Sequence, residues 1–146
     1  MSRARIISGF PGVGKTTLFK SNKNLKIVDS DSSMFSWLEP GVRHPEFPNN
    51  YIEHIKKCMD EYDLVLVSSH KVVRDALREH GLEYDIFYPS VEDKSVYIDR
   101  YITRGNDKNF IKIVEQNWDS WIKEIDEETF PTKYRMKGNV FLKKYF

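Results

Sequence analysis

The chain has 146 residues, of which 40% are hydrophobic and 14% aromatic, and its formal net charge is +1. That length suits one domain with a real core, and the balanced charge argues against a protein held on nucleic acid or on a membrane surface by global electrostatics. The single cysteine, Cys58, excludes an internal disulfide, no apolar run reaches membrane-spanning length, and nothing before the first strand reads as a signal peptide. A soluble protein of a reducing, cytoplasmic compartment is therefore expected, with Cys58 a packing residue.

Arg5–Ser8 reads as a short buried strand. Gly9-Phe10-Pro11-Gly12-Val13-Gly14-Lys15-Thr16 follows, and Thr17-Leu18-Phe19-Lys20 reads as the first turns of a helix. Leu25-Lys26-Ile27-Val28 is a second strand ending at Asp29-Ser30-Asp31. Ser32–Asn50 is a long irregular connection holding Pro40, Gly41, Pro45 and Pro48, and loops of that length are usually functional. Ile52, Ile55 and Met59 recur at helical spacing and predict a helix over Tyr51–Tyr62, capped by Asn49 or Asn50. Leu64-Val65-Leu66-Val67 is a continuous apolar run, as in a central parallel strand. Val72–His80 reads as a helix stopped by Gly81, and Tyr84–Tyr88 as a fourth strand closed by Pro89. Lys94–Arg104 and Asn109–Glu127 read as two helices around Gly105-Asn106-Asp107, with Trp118, Trp121, Ile122 and Ile125 forming a core face. Val140-Phe141-Leu142 reads as a last short strand or as a packed tail. No repeat or linker divides residues 1–146, so one domain is expected. The alternation implies an α/β fold of three layers, with a parallel sheet of four to five strands, right-handed crossovers, and ligands at the C-terminal strand ends.

Residues 9–16 fit the phosphate-loop pattern G-x-x-x-x-G-K-[ST] without a mismatch, between a strand and a helix as the pattern requires. Gly9, Gly12 and Gly14 let the backbone approach phosphate oxygens, and Pro11 restricts the loop. The amides of Gly12, Val13 and Gly14 are expected to cradle a triphosphate and Lys15 to reach its β- and γ-phosphates. The Thr16 hydroxyl is expected to ligate Mg²⁺ and the Thr17 hydroxyl to meet the α-phosphate. ATP and Mg²⁺ are the cofactors this implies.

Asp29 and Asp31 follow the second strand. One carboxylate there can hold a water on Mg²⁺, and the other can take a proton from an attacking hydroxyl or bond an acceptor sugar. A plain Asp-Ser turn is the competing reading. The third strand ends in Ser68-Ser69-His70 without an acid, which counts against a motor-type ATPase; Ser69 is a candidate acceptor contact. Arg100 and Arg104 share a helix face and can oppose charge developing on a transferring phosphoryl group, unless the face is simply solvated. Arg43 can grip an acceptor phosphate through a bidentate fork, with Arg74 a second candidate.

These residues resemble the nucleoside- and nucleotide-kinase group of phosphate-loop proteins. The resemblance covers the loop, the Asp-Ser-Asp segment, which is also similar to that of shikimate and gluconate kinases, and the Arg-x-x-x-Arg-Gly region. Tyr88 through Trp121 is similar to small bacteriophage-encoded kinases described as adenylate-kinase-like or deoxynucleotide kinases, with a shorter lid than full-sized adenylate kinases. The resemblance implies a kinase acting on a nucleotide such as a nucleoside monophosphate or deoxynucleotide. It implies an acceptor segment at about 32–50 and a lid at about 97–110. Catalysis would fall to Lys15, Asp31, Arg100 and Arg104, metal binding to Thr16 and Asp29, and acceptor binding to Asp29, Asp31, Arg43, Ser69 and Arg74. Two alternatives stay open: a kinase of a hydroxylated metabolite or polynucleotide end, and a nucleotide-binding module without turnover.

Overall fold

A computed structural model describes residues 4–30, 37–39 and 42–146, with the backbone alone for 37–39 and 42–43. Five parallel strands make the main sheet: β1 (Arg5–Gly9), β2 (Ile27–Asp29), β5 (Leu64–Ser68), β6 (Asp85–Pro89) and β7 (Thr132–Met136). They lie in the order β2-β5-β1-β6-β7. The helices are α1 (Lys15–Ser21), α2 (Asn49–Met59), α3 (Lys71–Glu79), α4 (Lys94–Thr103) and α5 (Lys108–Asp126). β3 (Trp37–Glu39) and β4 (Val42–Arg43) pair antiparallel as a separate hairpin. Among the described residues, no helix is long and apolar enough to cross a membrane.

The apolar runs explain the centre of the sheet. Successive strand residues face opposite sides. Ile6 and Ile7 on β1, and Val65, Leu66 and Val67 on β5, are all buried, so both faces of the sheet are covered. That agrees with helices layered on either side, as expected for parallel strands. Strand order reverses beside β1. The chain leaves β1 for the β2 edge, returns to β5, and then crosses past β1 to β6. Such a reversal opens a crevice at the carboxyl end of the central strand.

Of the two readings of Val140-Phe141-Leu142 the packed tail holds, because Leu142–Tyr145 forms a short 3-10 turn, while the fifth strand is Thr132–Met136, a segment not read as a strand from the sequence. β7 pairs on one side only, and four of its five residues are exposed. An edge strand of that kind needs no apolar run. The connection over 32–50 is also less irregular than it reads, because it carries the β3–β4 hairpin.

Candidate active site

A cavity of about 960 Å³ opens at the carboxyl ends of β1, β2 and β5, walled on its other side by α4, the α4–α5 turn and the tail. Three strand ends that lie far apart in sequence therefore meet, as the alternating pattern predicts.

The loop between β1 and α1 is held open from outside. Lys15 Nζ donates to the Gly9 carbonyl at 3.0 Å, Tyr101 Oη to Pro11 at 2.7 Å, and Arg100 Nη1 to Gly12 at 2.8 Å. The Leu142 amide donates to the Val13 carbonyl at 2.8 Å. A trans peptide points its N–H opposite to its C=O. Tying back the carbonyls of Pro11 and Val13 thus turns the amides of Gly12 and Gly14 the other way. Those two glycines are also the loop's left-handed positions, with φ of 89° and 102°. A Cβ at Gly12 would lie 2.8 Å from the Tyr101 ring, and one at Gly14 would lie 3.1 Å from the Phe141 ring. Phe10 anchors the loop from beneath, edge-on to Trp118 at 5.4 Å between ring centres.

Thr16 Oγ1 donates to Asp29 Oδ2 at 3.3 Å, which puts the two expected metal ligands side by side. Among the described residues, no group of three or more His, Cys, Asp or Glu side chains is set to hold a metal. The Thr16–Asp29 pair still fits Mg²⁺, which takes few protein ligands and completes its shell with phosphate oxygens and water. Ser30 stays fixed behind Asp29 because its amide donates to Leu66 and its carbonyl accepts from Tyr51 Oη at 2.7 Å. Asp31 lies outside the described residues, as does the Arg43 side chain. Val13 is buried, whereas Thr17 is exposed at the cavity edge.

Arg100 differs from expectation. It lines the cavity but is only 8% exposed, and its guanidinium is bound to protein. Besides Gly12 O, it donates from Nη2 to Asn139 Oδ1 at 2.9 Å and to the Val140 carbonyl at 2.6 Å. It also lies 3.9 Å from the centre of the Phe141 ring and 4.4 Å from that of Tyr97. Arg100 thus positions loop and tail, and the arginine exposed on the cavity wall is Arg104, one turn later.

Arg74 differs more sharply. It is 4% exposed and turned into the body of the protein. One terminal nitrogen meets Glu124 at 2.5 Å, the other pairs with Glu128, and Nε donates to the Ser69 carbonyl at 2.8 Å. It locks α3 to α5 and fixes the end of β5, so it is not available to an acceptor phosphate. Ser69 does line the cavity, beside Ser68 and His70. Cys58 is buried on α2, and burial followed by the nearby Glu61 carboxylate pushes its thiol up, in keeping with packing rather than chemistry.

The sequence reading missed Tyr101, Asn139 and Phe141 at the loop and Tyr51 behind Asp29. Each acts on a backbone group or ring far away in sequence, so no local pattern marks it.

Burial pushes the phenols of Tyr84, Tyr88, Tyr97 and Tyr101 up. Glu128 adds to the effect at Tyr84, Asp126 at Tyr88 and Tyr97 at Tyr101. A raised folded pKa means the unfolded chain loses these protons first, so the stability involved is complete below pH about 10 and declines above it. Thermal melts from about pH 8 to about pH 11 should show a falling midpoint above pH about 10, with tyrosinate absorbance appearing together with unfolding. A midpoint that stays level while tyrosinate forms would contradict the assignment.

A scan against protein-family models finds no match, and a search of curated proteins finds none either.

Proposed function

We propose that this chain is a phosphate-loop kinase. It takes the γ-phosphoryl group of ATP and passes it to a small molecule of the nucleotide or nucleoside-like kind, seated at the rim of β2 and β5. The observation that carries the reading is the pre-set loop: the carbonyls of Gly9, Pro11, Gly12 and Val13 all accept from groups of the protein itself. A loop held this way has already met the ordering cost that a flexible glycine-rich turn would face on binding.

Lys15 and the inward amides would hold the polyphosphate. Thr16 and Asp29 would hold Mg²⁺, which when bound offsets phosphate charge. Arg104 faces the same cavity from α4 and would oppose charge on the transferring group. Phe141, 38% exposed on the cavity wall, offers a ring against which a base can stack.

Calorimetric titration with a non-hydrolysable ATP analogue tests the donor half. The wild type should bind it in the presence of magnesium, and Thr16→Ala should weaken binding by about tenfold and remove most of its magnesium dependence. Absence of any binding by the wild type would end the proposal.

A further inference from the structure

We infer that Asn139 binds the base of the donor nucleotide, an assignment that rests on the ATP reading above. Its side-chain nitrogen donates to an acceptor atom of the ring, while its side-chain oxygen stays with the protein.

The sheet sets where the base lies. Thr16 and Asp29 mark the metal end of the cavity, and Asp29 closes β2. β2 and β7 are opposite edges of the sheet, and Asn139 and Phe141 follow β7. A triphosphate with its γ end at the metal pair and its length along the loop amides therefore carries its nucleoside toward the tail. Phe141 stands close to the loop there, since a Cβ at Gly14 would lie 3.1 Å from its ring. Asn139 and Phe141 are both exposed, and both line the cavity.

One guanidinium orients both side chains. Arg100 lies over one face of the Phe141 ring, 3.9 Å from its centre, and its Nη2 donates to Asn139 Oδ1 at 2.9 Å. Arginine carries donors and no acceptor, so the atom of Asn139 that meets it is the oxygen and not the nitrogen. Nδ2 then branches from the other side of the planar amide, with two N–H groups on an exposed residue of the wall. Arg100 is held in turn by the carbonyls of Gly12 and Val140, so the amide cannot turn over without giving up a bond from a fixed charged donor. An asparagine with both ends free pairs with the donor–acceptor edge of adenine. Asn139, with its oxygen taken, offers donors alone and suits a ring nitrogen or a carbonyl rather than an exocyclic amino group.

Two calorimetric measurements with magnesium present test the assignment. The first needs no variant. Deaza analogues of ATP replace one ring nitrogen, N1, N3 or N7, by a C–H group. One of these analogues should bind the wild type about fivefold more weakly than ATP, the scale of one net hydrogen bond. If all of them bind within about twofold of ATP, the assignment is overturned. The second compares ATP with inorganic tripolyphosphate, which has the charge but no base, in the wild type and in Asn139→Asp. The variant keeps an oxygen for Arg100 and loses the donor, so its melting midpoint should not fall. Its preference for ATP over tripolyphosphate should shrink by about fivefold, and the weak deaza analogue should now match ATP. Equal weakening of ATP and tripolyphosphate is the added charge acting alone and overturns the assignment while leaving the ATP reading in place. A deaza penalty that persists undiminished in the variant places the contact on another group and overturns it too. Should the wild type bind neither ATP nor tripolyphosphate, the ATP reading falls and the base assignment falls with it.

Discussion

Lys15→Ala is expected to weaken ATP binding by about 100-fold and to cut turnover by a further factor of about 10², the scale seen when one preorganised charge-stabilising donor is removed. Lys15 is the one charged residue of the sequence Gly9–Thr16. Its ammonium is held at the loop by the Gly9 carbonyl 3.0 Å away, so it meets the ligand already oriented. Removing it leaves the loop with neutral peptide dipoles alone to offer the polyphosphate. In the ligand-free variant, loss of the hydrogen bond to Gly9, at a partly buried site, should cost about 1 kcal/mol and leave the chain folded. Calorimetry, a coupled turnover assay and a thermal melt separate the two effects. Wild-type affinity in a folded variant would remove the basis for reading this loop as a phosphate site.

Arg100→Met should act in the opposite order, on stability first and on ligand second. The substitution deletes donors to Gly12, Asn139 and Val140 and the stacked cation between Phe141 and Tyr97. Hydrogen bonds from a charged donor contribute about 1.5–3 kcal/mol each and do not add in full, so a loss of about 3–5 kcal/mol is expected. For a domain of this size, that lowers the melting midpoint by roughly 10 °C or more. ATP binding should weaken too, because Gly12 and the tail lose a shared anchor. Arg100→Lys should rescue little, since an ammonium cannot span three acceptors with a planar fork. If Arg100 instead met phosphate alone, Met would cost affinity without moving the melt.

The parts of this fold that were legible in the sequence are those written locally. The phosphate-loop pattern is one contiguous octapeptide, and its glycines are needed where φ turns positive, at Gly12 and Gly14. Helix limits fall within a few residues of the apolar spacing, as for α5, expected over 109–127 and found over Lys108–Asp126. The parallel sheet followed from the apolar runs of β1 and β5. The arginines were not legible, because sequence gives their charge but not their partners. Arg74 is fixed by Glu124 and Glu128, some fifty residues on, and Arg100 by Gly12 and Asn139 on either side of it in the chain. A tyrosine such as Tyr101 looks like core until the Pro11 carbonyl is seen beside it. Edge strand β7 was hidden for another reason, since a strand exposed over most of its length carries no hydrophobic signature.

The seating of Leu142 on Val13, with Arg100 gripping both neighbourhoods, sets an order of events during synthesis. The turn at Gly9–Thr16 is made before Arg100 and Leu142, which brace it. A nascent polypeptide thus carries that turn unbraced until both residues have followed it out of the ribosome. The loop's set geometry is therefore a product of tertiary closure and not an early local achievement.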